Sequence, residues 1–255
     1  MTLSVHDLAV SFGGVTALAG VSFAVEPGSI TSLIGPNGAG KTTAFNAITG
    51  YVRPSGGEVR YDGHSLGGLR ACDIAARGVV RTFQRTSLFP ELTVFDNVMI
   101  GLHLRVQTGL LDVLFRRRRL RSEEALLARE TEAILDFVGL STQHATVAST
   151  LAYGEQRLLE LAIALAARPR LLLLDEPAAG MTGREKVVVT RLIQGVRDQG
   201  VTVLLVEHDM RLVMGISDRV VVLNYGRVIA RGSPGEIQAN PDVISAYLGT
   251  ARADA

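Results

Sequence analysis

Cysteine is nearly absent from this 255-residue chain: Cys72 stands alone. One thiol cannot close a disulfide, and His6, His64, His103, His144 and His208 fall at no paired ligand spacing. Neither a disulfide framework nor a zinc site is therefore available. An excess of one charge is missing as well. Twenty-six Lys and Arg oppose 25 Asp and Glu, for a net +1, so there is no global footprint for nucleic acid and no nucleic-acid partner is expected. Long apolar runs are lacking too, because the stretches 158–167 and 171–174 fall short of the roughly 20 residues that a bilayer span needs. Residues 1–7 show no basic segment followed by an apolar core, so they do not read as a signal peptide and a cytoplasmic chain is expected. Internal repeats and low-complexity linkers are absent. What is present is a mean hydropathy of +0.26, carried by short strand-like runs of the kind buried on both faces of a sheet or under a partner.

One of those runs leads into the most informative motif. Ile30 to Ile34 is followed by Gly35, Pro36, Asn37, Gly38, Ala39, Gly40, Lys41, Thr42 and Thr43, and then by a helix pattern over 42–49. Glycines at 35, 38 and 40 let successive backbone N–H groups point inward at a polyphosphate, and the helix start adds its positive dipole end. Lys41 is expected on the β- and γ-phosphates and the Thr42 hydroxyl on Mg²⁺, which makes ATP with Mg²⁺ the expected ligand pair. A second element reads Leu171 to Leu174, then Asp175, Glu176 and Pro177. Four leucines make a buried strand, and acids at its C-terminal end lie where a doubly wound sheet presents side chains to ligands. Asp175 is expected to orient Mg²⁺ and Glu176 to polarise the attacking water.

Three textures follow one another along the chain. Alternating segments over residues 3–61, broken at Phe12-Gly13-Gly14 and Glu26-Pro27-Gly28, predict antiparallel β-structure around the phosphate loop. From Thr86 to about Arg168 the spacing turns helical, with patterns over 123–138 and 155–167. Beyond it, apolar runs at 171–174, 201–206 and 220–223 alternate with helix patterns at 185–198 and 210–217, the sign of a parallel α/β sheet. The expected division is 1–85 with 169–255 as the nucleotide-binding core plus an antiparallel β-subdomain, and 86–168 as an inserted helical subdomain.

Between the two nucleotide motifs stands Leu151-Ala152-Tyr153-Gly154-Glu155-Gln156-Arg157, which resembles the signature motif of ATP-binding cassette ATPases. The order of all three motifs fits that family, and the resemblance runs from Leu3 to Leu248. It implies a P-loop α/β cassette fold in which Gln84 is the glutamine-loop residue beside the metal and His208 the switch histidine. Phe12 takes the position of an aromatic ring against adenine, and Ala152, Tyr153, Gly154 and Glu155 serve the nucleotide of a second cassette. ATP is then sandwiched between two cassettes, in a homo- or heterodimer. Two positions depart from the pattern. Ala152 replaces the usual signature serine, leaving backbone N–H groups near Gly154 for the γ-phosphate, and the loop Ala179-Gly180-Met181-Thr182 lacks the usual aspartate that couples the sites.

The segments 151–156, 175–180, 207–218 and 240–249 resemble most closely the ATP-binding subunit of branched-chain amino-acid importers, with urea or short-chain amide importers and lipopolysaccharide export as close kin. This implies integral-membrane permease subunits, reached through a groove beside Gln84 lined by Leu88, Phe89, Pro90 and Val94, although for any one of these four plain subdomain core is the commoner assignment. It also implies an indirect periplasmic substrate-binding protein, and a peripheral place on the inner face of the cell membrane. Arg116 to Arg121 then reads as a solvated helix face, with anionic lipid headgroups as the alternative contact. A repair or translation ATPase would carry two cassettes or a long coiled-coil insert, and a sensor without turnover would lack Glu176 or His208.

Overall fold

A computed structural model describes residues 2–82, 88–103 and 117–250, apart from the side chains of 103, 117–123 and 248–250. It divides into two compact units. The first comprises Met1–Arg81, Arg170–Gly180 and Lys186–Ala255; the second comprises Thr82–Pro169 and Met181–Glu185.

In the first unit, β1 (Leu3–Phe12) and β2 (Val15–Val25) form a hairpin, and β4 (Gly56–Tyr61) and β5 (His64–Ser65) extend it into an antiparallel sheet of order β2-β1-β4-β5. Alternation sets its inner face, where Leu3, Val5, Leu8 and Val10 are buried. A second sheet has the order β10-β9-β3-β8-β7-β6. Its strands are β3 (Ile30–Ile34), β6 (Val79–Arg81), β7 (Leu171–Asp175), β8 (Thr202–Val206), β9 (Arg219–Asn224) and β10 (Arg227–Gly232). The first five run parallel, and β10 returns antiparallel at the edge. Every residue of β3, β7 and β8 is buried, the polar Thr31, Ser32, Asp175 and Thr202 among them, as expected of interior strands in a sheet covered on both faces.

Helix α1 (Lys41–Ile48) fills the space between the sheets. Its Phe45 and Ile48 join Leu3, Val21 and Phe23 from one sheet and Leu33, Leu173, Leu204 and Val221 from the other in one hydrophobic cluster. Each such side chain contributes about 1.5–3 kcal/mol when fully buried. On the opposite face, Val220 and Val222 alternate with Val221 and pack with Ile34, Val213, Ile237 and Val243. That face is covered by α7 (Met210–Ile216), α8 (Pro234–Gln238) and α9 (Pro241–Thr250), numbered after α2 (Ala71–Ala76) and α6 (Gly183–Asp198).

The second unit is built on α3 (Val94–His103), α4 (Arg117–Val138) and α5 (Tyr153–Ala166), which pack pairwise. Val94, Val98 and Leu102 recur on one helix face and are buried. Val94 is therefore core rather than part of a docking groove, whereas Phe89 is half-exposed. Buried Asn97 fixes the segment before α3, accepting the Phe89 N–H at 2.8 Å and donating to Phe89 O at 3.1 Å.

Three expectations change in detail. Ile30–Ile34 belongs to the parallel sheet rather than to the antiparallel structure around it, because its partners are β8 and β9. Helix α5 begins at Tyr153, upstream of the apolar run at 158, because Glu155 reaches back to the Ala152 N–H at 3.0 Å and starts the helix. The C-terminal β10, α8 and α9 were not foreseen as elements; α8 starts on a capping box of Ser233 and Glu236 with Pro234 in its first turn.

Candidate nucleotide-binding and hydrolysis site

The site grows from the C-terminal ends of β3, β7 and β8, neighbours in the parallel sheet. After β3 the chain turns through 35–40 into α1. Gly40 sits at φ 103°, and a Cβ there would lie 2.7 Å from Leu18 Cδ2 and 2.8 Å from Ala17 O, so only glycine lets the loop seat against β2. The turn between β9 and β10 props it from behind: Gly226 N donates to Ala39 O at 3.0 Å, and Ala19 N donates to Gly226 O at 2.8 Å. Gly40 offers no side-chain cap and α1 has no acid in its first turn. The helix-start amides and the positive dipole end are thus left for an anion.

Lys41 lies at the centre of this loop. Its ammonium donates to Gly35 O at 2.7 Å and Pro36 O at 2.9 Å. Burial pulls its pKa below the usual lysine value, against the raising effect of Glu176 and then Asp175. A cleft of about 220 Å³ opens here, lined by Ala17, residues 37–43, Glu176 and His208.

Glu176 follows β7 in the left-handed backbone region, φ 51°, and its N–H donates to Val206 O at 2.8 Å. That conformation costs a non-glycine residue of order 1 kcal/mol or more, a strain typical of functional positions. It turns the carboxylate into the cleft, where Oε1 meets His208 Nε2 at 2.8 Å. Asp175, one residue earlier, is buried and takes Arg81 Nη2 on Oδ2 at 2.7 Å. Arg81 is held in turn by Asn46 Oδ1 at 2.7 Å and stacks 5.4 Å from the Phe45 ring centre.

The lining thus brings together Asn37, Gly38, Ala39, Gly40, Lys41, Thr42, Thr43, Glu176 and His208. Gly35 and Pro36 start the loop and hold the Lys41 ammonium through their carbonyls, and the buried Asp175 is not among the lining residues. Phe12 ends β1 at the hairpin tip, half-exposed and not part of the lining. Gln84 and residues 104–116 lie outside the described residues. Ala17 and Arg81 were not singled out from sequence: an alanine carries no chemical signal, and Arg81 reaches Asp175 only through the pairing of β6 with β7.

In the second unit, Ala152 caps α5 with extended backbone and no side-chain acceptor. Glu155 is engaged within the chain, by the Ala152 N–H at 3.0 Å and by Gln143 Nε2 at 2.6 Å. Tyr153 takes Arg157 on its hydroxyl at 2.8 Å. Gly154 faces the Glu185 carboxylate, which leaves no room for a Cβ, and Glu185 is itself held by Thr182 N and Oγ1, both at 2.7 Å.

A family model for ABC transporters matches residues 18–179, the span holding the loop, the leucine strand and the signature segment. The chain belongs to the ABC transporter family. A second model, for branched-chain amino acid ATP-binding cassette transporters, matches residues 227–253 of the cassette. The cassette is 47% identical over 250 residues, 98% of each chain, to the high-affinity branched-chain amino acid transport ATP-binding protein BraF of Pseudomonas aeruginosa. It is 45% identical, again over 98% of each, to the corresponding protein LivG of Escherichia coli K12. A solved ATP-binding cassette of an ABC transporter in its ADP conformation superposes with a TM-score of 0.84 at 30% identity, covering 97% of this chain and 98% of that one. The cassette is accordingly an ATPase subunit of a membrane transporter with the P-loop α/β fold. Among the described residues no helix is long and apolar enough to cross a membrane.

Proposed function

We propose that the cassette hydrolyses ATP to drive the uptake of branched-chain amino acids through separate integral-membrane permease subunits. The carrying observation is identity of 45–47% along 98% of both chains to proteins named for that transport. The match of residues 227–253 to a model specific to that branch adds to it.

In this reading the amides of 37–43 and Lys41 grip the β- and γ-phosphates, and Phe12 stacks on adenine. Glu176 activates the attacking water and His208 holds it in register. Charge stabilisation and positioning supply most of the rate enhancement, as in other phosphoryl transfers. Mg²⁺ fits the donors present. Among the described residues no cluster of three His, Cys, Asp or Glu could cage a metal. Thr42 and Asp175, with Gln84, instead offer the few hard oxygens that suit an ion completing its shell with phosphate and water. Bound there, it would neutralise charge on the transferring phosphate.

Ala152, Tyr153, Gly154 and Glu155 then serve the nucleotide of a second cassette, with the N–H groups at the start of α5 in place of a serine hydroxyl. The subunit works at the inner face of the membrane, and a periplasmic binding protein delivers the amino acid to the permeases.

Two measurements test this. Glu176→Gln is expected to lower phosphate release by about 10²- to 10⁴-fold, the span of general-base catalysis, while ATP still binds. Release near the wild-type rate would exclude Glu176 as the base. Cells lacking the cassette are expected to lose leucine, isoleucine and valine uptake; unchanged uptake of all three would overturn the substrate assignment.

A further inference from the structure

Glu207 is the first residue past β8, and it is buried, 4% exposed. Its Oε1 accepts the N–H of Ala178 at 2.9 Å, on the loop that leaves β7. Its Oε2 accepts the N–H groups of His208 at 2.8 Å and Asp209 at 3.2 Å, on the loop that leaves β8. A buried carboxylate is costly unless hydrogen bonded, and charge-assisted bonds to amides are the strong kind. Three main-chain donors meet that need, and they come from two different loops.

The placement has a geometric consequence. Ala178 lies two residues beyond Glu176, and the His208 amide belongs to the residue whose imidazole meets the Glu176 carboxylate at 2.8 Å. One buried side chain thus fixes the backbone on both sides of that contact. The Glu176 backbone needs such support, because its left-handed φ of 51° persists only where neighbours over-determine it. Asp209 is committed elsewhere and does not share the task. Its Oδ1 accepts Arg211 N and Leu212 N at the start of α7, and its Oδ2 takes Lys186 Nζ at 2.8 Å.

We propose that Glu207 is a positioning residue for ATP hydrolysis, a buried clamp that sets the distance and orientation between Glu176 and His208 while touching neither nucleotide nor water. The inference rests on the reading above that these two residues act on ATP. It demands two acceptor oxygens facing opposite loops. A glutamine amide has one acceptor and one NH₂ donor, so it would leave one loop facing a donor rather than an acceptor.

The test uses the full chain and four variants: Glu207→Gln, His208→Ala, their double, and Glu176→Gln. Steady-state phosphate release and the affinity for a fluorescent ATP analogue are measured for each. Glu207→Gln is expected to lower kcat about 10- to 100-fold, the cost of a misplacement near 1 Å, with affinity within about threefold because the phosphate loop is untouched. On the His208→Ala background it is expected to cost less than about threefold more, since residues acting through one another are not additive. A purely structural role would give the full loss in both backgrounds.

A Glu207→Gln enzyme with wild-type kcat, or a fully multiplicative double variant, would overturn the clamp. Wild-type turnover by both His208→Ala and Glu176→Gln would instead overturn the underlying reading, and the clamp with it. Should Glu207→Gln fail to fold, Glu207→Asp keeps the charge but is one methylene too short to span the two loops. The same loss of kcat at preserved affinity is expected of it, and wild-type kcat there would refute the proposal.

Discussion

Arg81 is the residue whose role was hidden most completely in the sequence. It pairs with Asp175 across 94 positions, and it meets that carboxylate only because β6 lies beside β7 with Arg81 opposite Leu173. Lys41 and Glu176 could be singled out by contrast, because the residues that define each motif are contiguous, and the structure brings both to one cleft. Burying a guanidinium and a carboxylate together is tolerable only as a bonded pair, and removing one member strands the other. Arg81→Met is therefore expected to cost about 3–5 kcal/mol of stability, read as a lowered denaturant midpoint at unchanged slope. Arg81→Lys, which keeps the charge but loses the second contact to Asn46, should cost less. A midpoint for Arg81→Met equal to that of the wild type would show that the pair contributes nothing.

Among the elements, those with unbroken apolar runs were readable and those with mixed ones were not. Leu171–Leu174 needs both sheet faces covered and can be little else than an interior strand. Strand β10, Arg227–Gly232, lies at the sheet edge with two exposed arginines, and of its residues only Gly232 is fully buried. Its pattern therefore carried no strand signal. The turn before it nevertheless matters for the site. Gly226 has φ 72°, its N–H holds Ala39 O, and a Cβ there would lie 2.6 Å from Ala17 O. Gly226→Ala is expected to destabilise by more than about 1 kcal/mol and to weaken ATP binding, because the methyl group would meet Ala17 O and Leu18 Cα of β2, and the turn that shifts to admit it carries the Gly226 N–H that holds Ala39 O. Calorimetry on the folded variant checks this, and unchanged ATP affinity would show that the turn does not support the loop.

At the scale of the molecule, the phosphate loop, Asp175, Glu176 and His208 belong to one compact unit, and the signature segment with Thr182 and Glu185 belongs to the other. Their order along the chain was enough to suggest a cassette, and the match of residues 18–179 to the ABC transporter model gives that family independently. The transported molecule was legible only by resemblance, since no residue described here has chemistry directed at an amino acid. Everything proposed for this subunit, from water activation to the clamp at Glu207, depends on a triphosphate held by the amides of 37–43 and the Lys41 ammonium. Calorimetric titration of ATP with Mg²⁺ into the wild type and Lys41→Ala tests that most directly. One site per chain in the wild type, weakened at least about tenfold by loss of the charged contact, about 1.4 kcal/mol, is the expected result; equal affinity in the two proteins would contradict it.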